Sequence, residues 1–203
     1  MPAKADAKKQ TLFRDFVLNP LIEQARKGSI ELFFMDASHF VMGGFPARVW
    51  CAVRKWVKTS SGRKRFNVLG ALNFITLKIE TVCNDSYITS TQVVEMLEKL
   101  AKNCSKPIFV VLDNVAYQRC NFVKENAARL GITLIFLPTY SPNLNLIERV
   151  WKIVKAKVLA FAYYDTFDRF SSRIRDCVNG MHIKSMSDLA TSITDNFHIV
   201  DAA

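Results

Sequence analysis

The sequence predicts an α/β protein: a mixed sheet of three antiparallel strands followed by parallel strands, with helices on both faces. Three strand-like stretches lie close together in the first half of the chain, the pattern of an antiparallel meander. In the second half helix and strand alternate, which demands crossovers and parallel pairing. The runs "IELFFM", "PIFVVL" and "ITLIF" are apolar without alternation, as suits strands buried on both faces.

The elements follow in order. Residues 1–28 form a helical lead-in, "KKQTLFRDFVL" and "LIEQARKG", with a break expected at Asn19-Pro20 and closure on Gly28. The first strand is expected to end abruptly at Asp36. A basic, aromatic stretch with a Ser-Ser-Gly turn at 60–62 precedes "RFNVLGALNFITLKIETVCND", which reads as two strands joined near Asn73. Apolar residues at 93, 94, 97, 100 and 101 have helical spacing. "PIFVVLDN" is a strand ending in an acid, "AYQRCNFVKENAARLG" a helix stopped by Gly131, and "ITLIFLP" a further buried strand. "LPTYSPNLNLIERVWKIVK" is a loop that runs into an amphipathic helix. Two more helices are expected around 166–179 and 186–197, so that residues 29–165 form the main domain and 166–203 pack on it.

With 203 residues, half of them hydrophobic, the chain can bury roughly 70% of its unfolded surface without disulfide or metal staples. Lys and Arg number 28 against 18 acids, a net charge of +10 that favours polyanionic partners, nucleic acid first. Cysteines at 51, 83, 104, 120 and 177 form no C-x-x-C pair or Cys/His cluster, so reduced thiols are expected and a zinc site is not. No apolar run reaches the ~18 residues of a membrane span, and "MPAKADAKKQ" is no signal peptide. A cytoplasmic protein is expected.

Ligands of open α/β sheets gather where strand carboxyl ends open into a crevice. Asp36 follows "LFFM" and Asp113 follows "FVVL". If the two strands are parallel neighbours, their carboxylates share one crevice, where like charges resist joint ionisation and a divalent cation relieves the repulsion. Each acid also has an ordinary reading: Asp113-Asn114 as a helix cap and Asp36-Ala37-Ser38 as a turn. Glu148 stands three residues after Asn145, a workable capping box, with Lys152 and Lys155 on its flank of the helix. That grouping suits a metal ligand beside a phosphate track, or equally an i, i+4 Glu–Lys pair.

Asp36, Asp113 and Glu148, with 34 residues between the last two, resemble the Asp-Asp-Glu catalytic triad of the mariner transposase superfamily. "FMDASHF", "VVLDNVAYQ" and "LPTYSPNLNLIERVWKIVK" look like its bacterial insertion-sequence branch, the DDE-superfamily endonucleases, and the resemblance covers about residues 30–165. It implies a ribonuclease-H-like fold and a transposase catalytic domain that hydrolyses transposon ends and transfers strands into target DNA. It also implies that the three acids hold two Mg²⁺ (or Mn²⁺) ions. The implied partners are DNA, a second copy in a homodimer, and a separate chain carrying helix-turn-helix modules, since only about 30 residues precede the first strand. The setting implied is bacterial and nucleoid-associated. Gln118 stands where many relatives carry His. A nuclease acting on RNA–DNA hybrids, or a catalytically silent DNA-binding or oligomerisation module, stays open as an alternative.

Candidate phosphate contacts are Arg54, Lys55, Lys58, Arg63, Lys64 and Arg65, interleaved with Trp50, Trp56 and Phe66 around the Ser-Ser-Gly turn. An exposed hairpin solvated by its charges is the plainer reading. Arg149, Lys152 and Lys155 are further candidates, and His39 either faces the acids or bonds locally.

Overall fold

The computed structural model describes residues 6–43, 64–160, 162–184, 191, 193–197 and 199. Five strands, β1 (Glu31–Val41), β2 (Arg65–Asn73), β3 (Ile79–Asn84), β4 (Ile108–Leu112) and β5 (Ile132–Phe136), form one sheet in the order β3-β2-β1-β4-β5. β1, β2 and β3 pair antiparallel in sequence, and β4 pairs parallel with both β1 and β5. The mixed sheet expected from the order of elements is therefore present.

Each face of the sheet carries its own core. Phe33, Met35, Leu69, Val110 and Leu112 point to one side, where they pack under α3 (Ser90–Asn103) and α5 (Asn121–Arg129). Leu32, Phe34, Phe40 and Val111 point to the other, under α2 (Asn19–Arg26), α6 (Ile147–Leu159) and α7 (Phe167–Lys184). α3 starts from a capping box in which Thr89 and Gln92 bond reciprocally. β2 turns into β3 at Asn73, whose side-chain oxygen accepts from the amides of Ile75 and Thr76.

Several expectations are corrected. Asn19-Pro20 does not break the lead-in: α1 (Ala7–Phe13) continues through a π-helical turn, Arg14–Leu18, into α2. The Asn19 amide bonds back to Arg14, and this widened turn takes up the proline whose ring would clash in an ordinary helix. β1 does not end at Asp36. It runs to Val41 because β2 is long enough to pair with it throughout, Asp36 opposite Gly70 and Val41 opposite Arg65. The helix expected over 116–131 is two, α4 (Ala116–Arg119) and α5, parted by extended backbone at Cys120. β5 is an edge strand, half-buried beyond Ile132 rather than buried on both faces. Of the stretch 186–197, residues 186–190 lie outside the described residues, and 193–197 are not helical.

Candidate active site

Strand register brings the first two acids together. The β1–β4 ladder ends with Met35 opposite Leu112, and one residue further along each chain stand Asp36 and Asp113. Alternation settles the face: Phe34 and Val111 lie in the core beneath α6, so the next residues on that side are Asp36 and Asp113. Glu148 comes from the first turn of α6, which lies across β1 and β2 on that same face.

α6 comes unusually close to the sheet there. A Cβ at Gly70, the partner of Asp36, would sit 2.7 Å from Trp151 Cη2 and 2.9 Å from Ile147 Cδ1. Glycine at 70 is what lets the buried Trp151 lie flat on β2 and carries Glu148 toward the other acids.

The electrostatics report this convergence. Burial, then Glu148 and Asp113, push the Asp36 carboxyl up to about 7. The Asp113 carboxyl is raised by burial, against a hydrogen bond from the Asn145 amide that holds it down. Glu148 is raised by burial and by Asp113, while Lys155 and Lys152 oppose the shift. The indole N–H of Trp151 makes no hydrogen bond of good geometry, yet it faces Asp36 closely enough to favour the anion. Among the described residues, no group of three His, Cys, Asp or Glu side chains is arranged to hold a metal ion by itself. The acids act on one another electrostatically across the site. That suits Mg²⁺, which takes one or two carboxylates and completes its shell with water and substrate phosphates.

Asn145 does not cap α6. The N-cap is Leu146, which makes no side-chain cap. The Asn145 side chain instead turns into the site, its Nδ2 donating to the Met35 carbonyl at 3.2 Å and to Asp113 Oδ1 at 3.3 Å. Its backbone carbonyl accepts from the Glu148 amide at 3.1 Å. The Asn-x-x-Glu spacing was the signal, but it fits a cap equally well.

Asp113 also borders a hollow of about 490 Å³ with Val115, Pro138, Tyr140 and Pro142. Tyr140 has φ of +60°, a left-handed conformation uncommon for a bulky residue. It is held from α1: buried Gln10 donates to the Tyr140 carbonyl at 3.3 Å and accepts from Asn143 Nδ2 at 2.9 Å. Tyr117, absent from the sequence candidates, has its phenol pushed up to about 12 by burial and by Asp36 and Asp113. Gln118 is fully buried behind it, 3.4 Å from its hydroxyl.

The basic candidates divide. Arg54, Lys55, Lys58 and Arg63, with Trp50 and Trp56, lie outside the described residues. Lys64 and Arg65 are exposed where β2 begins, Lys64 lying over the Phe167 ring. Lys152 is exposed, and Lys155 sits 5.9 Å over the Phe40 ring. Arg149 is engaged within the chain. Its guanidinium donates to the carbonyls of Thr194 and Asn196, both at 2.8 Å, and so fastens the C-terminal segment to α6. His39 bonds locally, with Nδ1 2.6 Å from Asn67 Oδ1.

The chain was compared with known proteins. Residues 31–171 match the model of the DDE superfamily endonuclease family. No curated protein sequence matches. Among solved structures, a Mos1 strand transfer complex aligns with TM-score 0.63 at 10% identity, over 99% of this chain and 65% of that one. A Mos1 transposase paired-end complex with the left transposon end gives 0.60 at 10% identity, over 98% and 66%. A mariner Mos1 paired-end complex with Mg gives 0.57 at 11%, over 96% and 65%. The chain therefore spans about two thirds of the Mos1 chains it matches. At such identities the likeness speaks for the fold, which is the ribonuclease-H-like one. Because the family model covers well over half of the residues, the chain belongs to the DDE superfamily of endonucleases.

Proposed function

We propose that residues 29–165 are the catalytic domain of a DNA transposase, with the flanking helices packed on it. Its reaction is metal-dependent phosphodiester hydrolysis at transposon ends, followed by strand transfer into target DNA. The observation that carries this reading is the meeting of Asp36, Asp113 and Glu148, from three distant segments, in one half-buried space where each is hard to ionise alone. Such a cluster lowers its energy by gaining positive charge, and the donor set is all oxygen, which suits Mg²⁺ or Mn²⁺.

Asp36 and Asp113 would hold both ions, with Glu148 completing the second position. When bound, such a pair activates the attacking oxygen and neutralises charge on the leaving oxygen. The chain's own part is to hold the three carboxylates together, and to bring the phosphate to them. Lys152 and Lys155, on the same side of α6 as Glu148, supply positive charge along the approach, as do Lys64 and Arg65 where β2 begins. The Mos1 paired-end complex with its left transposon end supports DNA as substrate, and a homodimer is the working assembly of this reading. End recognition would come from helix-turn-helix modules on a separate chain, in the cytoplasm of a bacterial cell and at its nucleoid.

Cleavage of a labelled duplex carrying the element's own ends, with Mg²⁺ or Mn²⁺, tests the proposal. The wild type should nick the ends, and Asp113→Asn should lose at least 10³-fold in rate, on the order expected when the central groups of a two-metal site are removed. Cleavage of RNA–DNA hybrids but not of duplex ends would replace this reading with that of a hybrid nuclease. No measurable difference between Asp113→Asn and the wild type, with DNA binding abolished by charge reversal at Arg63, Lys64 and Arg65, would leave only a DNA-binding module.

A further inference from the structure

One residue, Asn145, touches all three acid-bearing segments. Asn145 Nδ2 bonds to the carbonyl of Met35, the residue before Asp36, and to the Asp113 carboxylate, while the Asn145 carbonyl takes the Glu148 amide. The orientation of its amide follows from chemistry, because both groups facing Nδ2 are acceptors and only the NH₂ end can donate to them. We propose that Asn145 is the positioning residue of the site: it fixes the spacing of Asp36, Asp113 and Glu148.

Two further observations separate this from ordinary loop packing. Asn145 is 1% exposed, yet its Oδ1 has no hydrogen-bond partner, so the side chain is only half satisfied. A buried orphan acceptor carries a desolvation cost that ordinary loop packing avoids. The side chain also skips the role its spacing invites. With Asn145 turned away from the start of α6, that helix begins without a side-chain cap. A position that forgoes a cap and tolerates an unpaired oxygen is serving the atoms on its Nδ2 side. In a ribonuclease-H-like sheet those atoms come from the two strand ends that meet where the β1–β4 ladder stops.

The proposal rests on the three acids forming the active site, and its test does not depend on DNA cleavage. Asn145→Leu removes the donor while filling the space, and Asn145→Asp keeps the shape but sets an acceptor against Asp113. Titration with Mn²⁺ alone, at a temperature where both variants are folded, should give at least tenfold weaker binding in both. If the ends are cleaved, Asn145→Leu should lose kcat by about 10², the loss a misplacement near 1 Å produces, with KM for DNA nearly unchanged. Unchanged Mn²⁺ binding in folded Asn145→Leu would overturn the proposal. A wild type that binds Mn²⁺ but leaves the ends intact would count against the transposase reading, while the Mn²⁺ measurements still decide the role of Asn145.

Discussion

Gly70→Ala adds one methyl group at a position with no functional atoms of its own, and it should disable the enzyme. The added Cβ would stand 2.7 and 2.8 Å from Trp151 Cη2 and Cζ2 and 2.9 Å from Ile147 Cδ1. Carbon atoms rest about 3.5–4.0 Å apart, so α6 must rise by about 1 Å or the Trp151 ring must swing. Trp151 is 1% exposed in a packed core, which leaves it little room to swing. Overpacking of this kind costs about 1–3 kcal/mol, or roughly 4–8 °C in Tm for 2 kcal/mol in a chain of this size. The larger effect falls on catalysis. Glu148 sits one turn before Trp151 on the same helix, and a 1 Å displacement of a reacting group costs about 10² in rate. Thermal unfolding and end cleavage, measured well below the variant's Tm, separate the two effects. Adding Trp151→Phe should return part of both losses by making room for the methyl. Full cleavage by folded Gly70→Ala would show that the height of α6 above the sheet does not set the position of Glu148, and the reasoning would fail.

Asp36 gives a pH prediction. Its carboxyl titrates near 7 in the fold against 3.8 when free, so the unfolded chain loses this proton first, and metal-free stability should fall as pH rises from about 4 to 7. Asp36→Asn should flatten that slope and raise Tm at pH 8 in chelator, as unfolding scans across pH would record. Mn²⁺ at a hundredfold excess over its Kd should stabilise the wild type by about 2.7 kcal/mol and Asp36→Asn by far less, in the same scans. Arg149→Ala should lower stability by about 2 kcal/mol through its lost bonds to the C-terminal carbonyls and leave the salt dependence of DNA binding unchanged. Lys152→Ala should instead reduce that salt slope by about 1 in a fluorescence anisotropy series, with Tm unchanged.

Asp36 and Asp113 were legible because an apolar run that stops at an acid is a local pattern, and strand register alone brings two such stops together. The true length of β1 was hidden, since residues 37–41 remain in a strand only through pairing with β2, a partner distant in the chain. Pro20 misled because a proline punctuates local sequence, whereas the π turn that absorbs it depends on the backbone before it. Asn145 and Arg149 show the same division from the side of the site. Their types fit a cap and a phosphate contact, but the atoms they reach are contributed by strands and by a C-terminal segment that no local spacing reveals. Gly70 gave no sign, because its importance is the absence of a side chain beneath a tryptophan 81 positions away.

The grip of Gln10 on Tyr140 and Asn143 bears on how a minimal enzyme should be cut. The family match begins at residue 31, and a fragment trimmed to that boundary would look complete by sequence. It would lack Gln10, which holds the loop bordering Asp113 from the side of α1, and the left-handed Tyr140 would be free to relax. Such a fragment could fold around the sheet and still present a collapsed mouth to its substrate. A truncation series stepping through α1 would then lose activity sharply at Gln10, well before the sheet itself is touched.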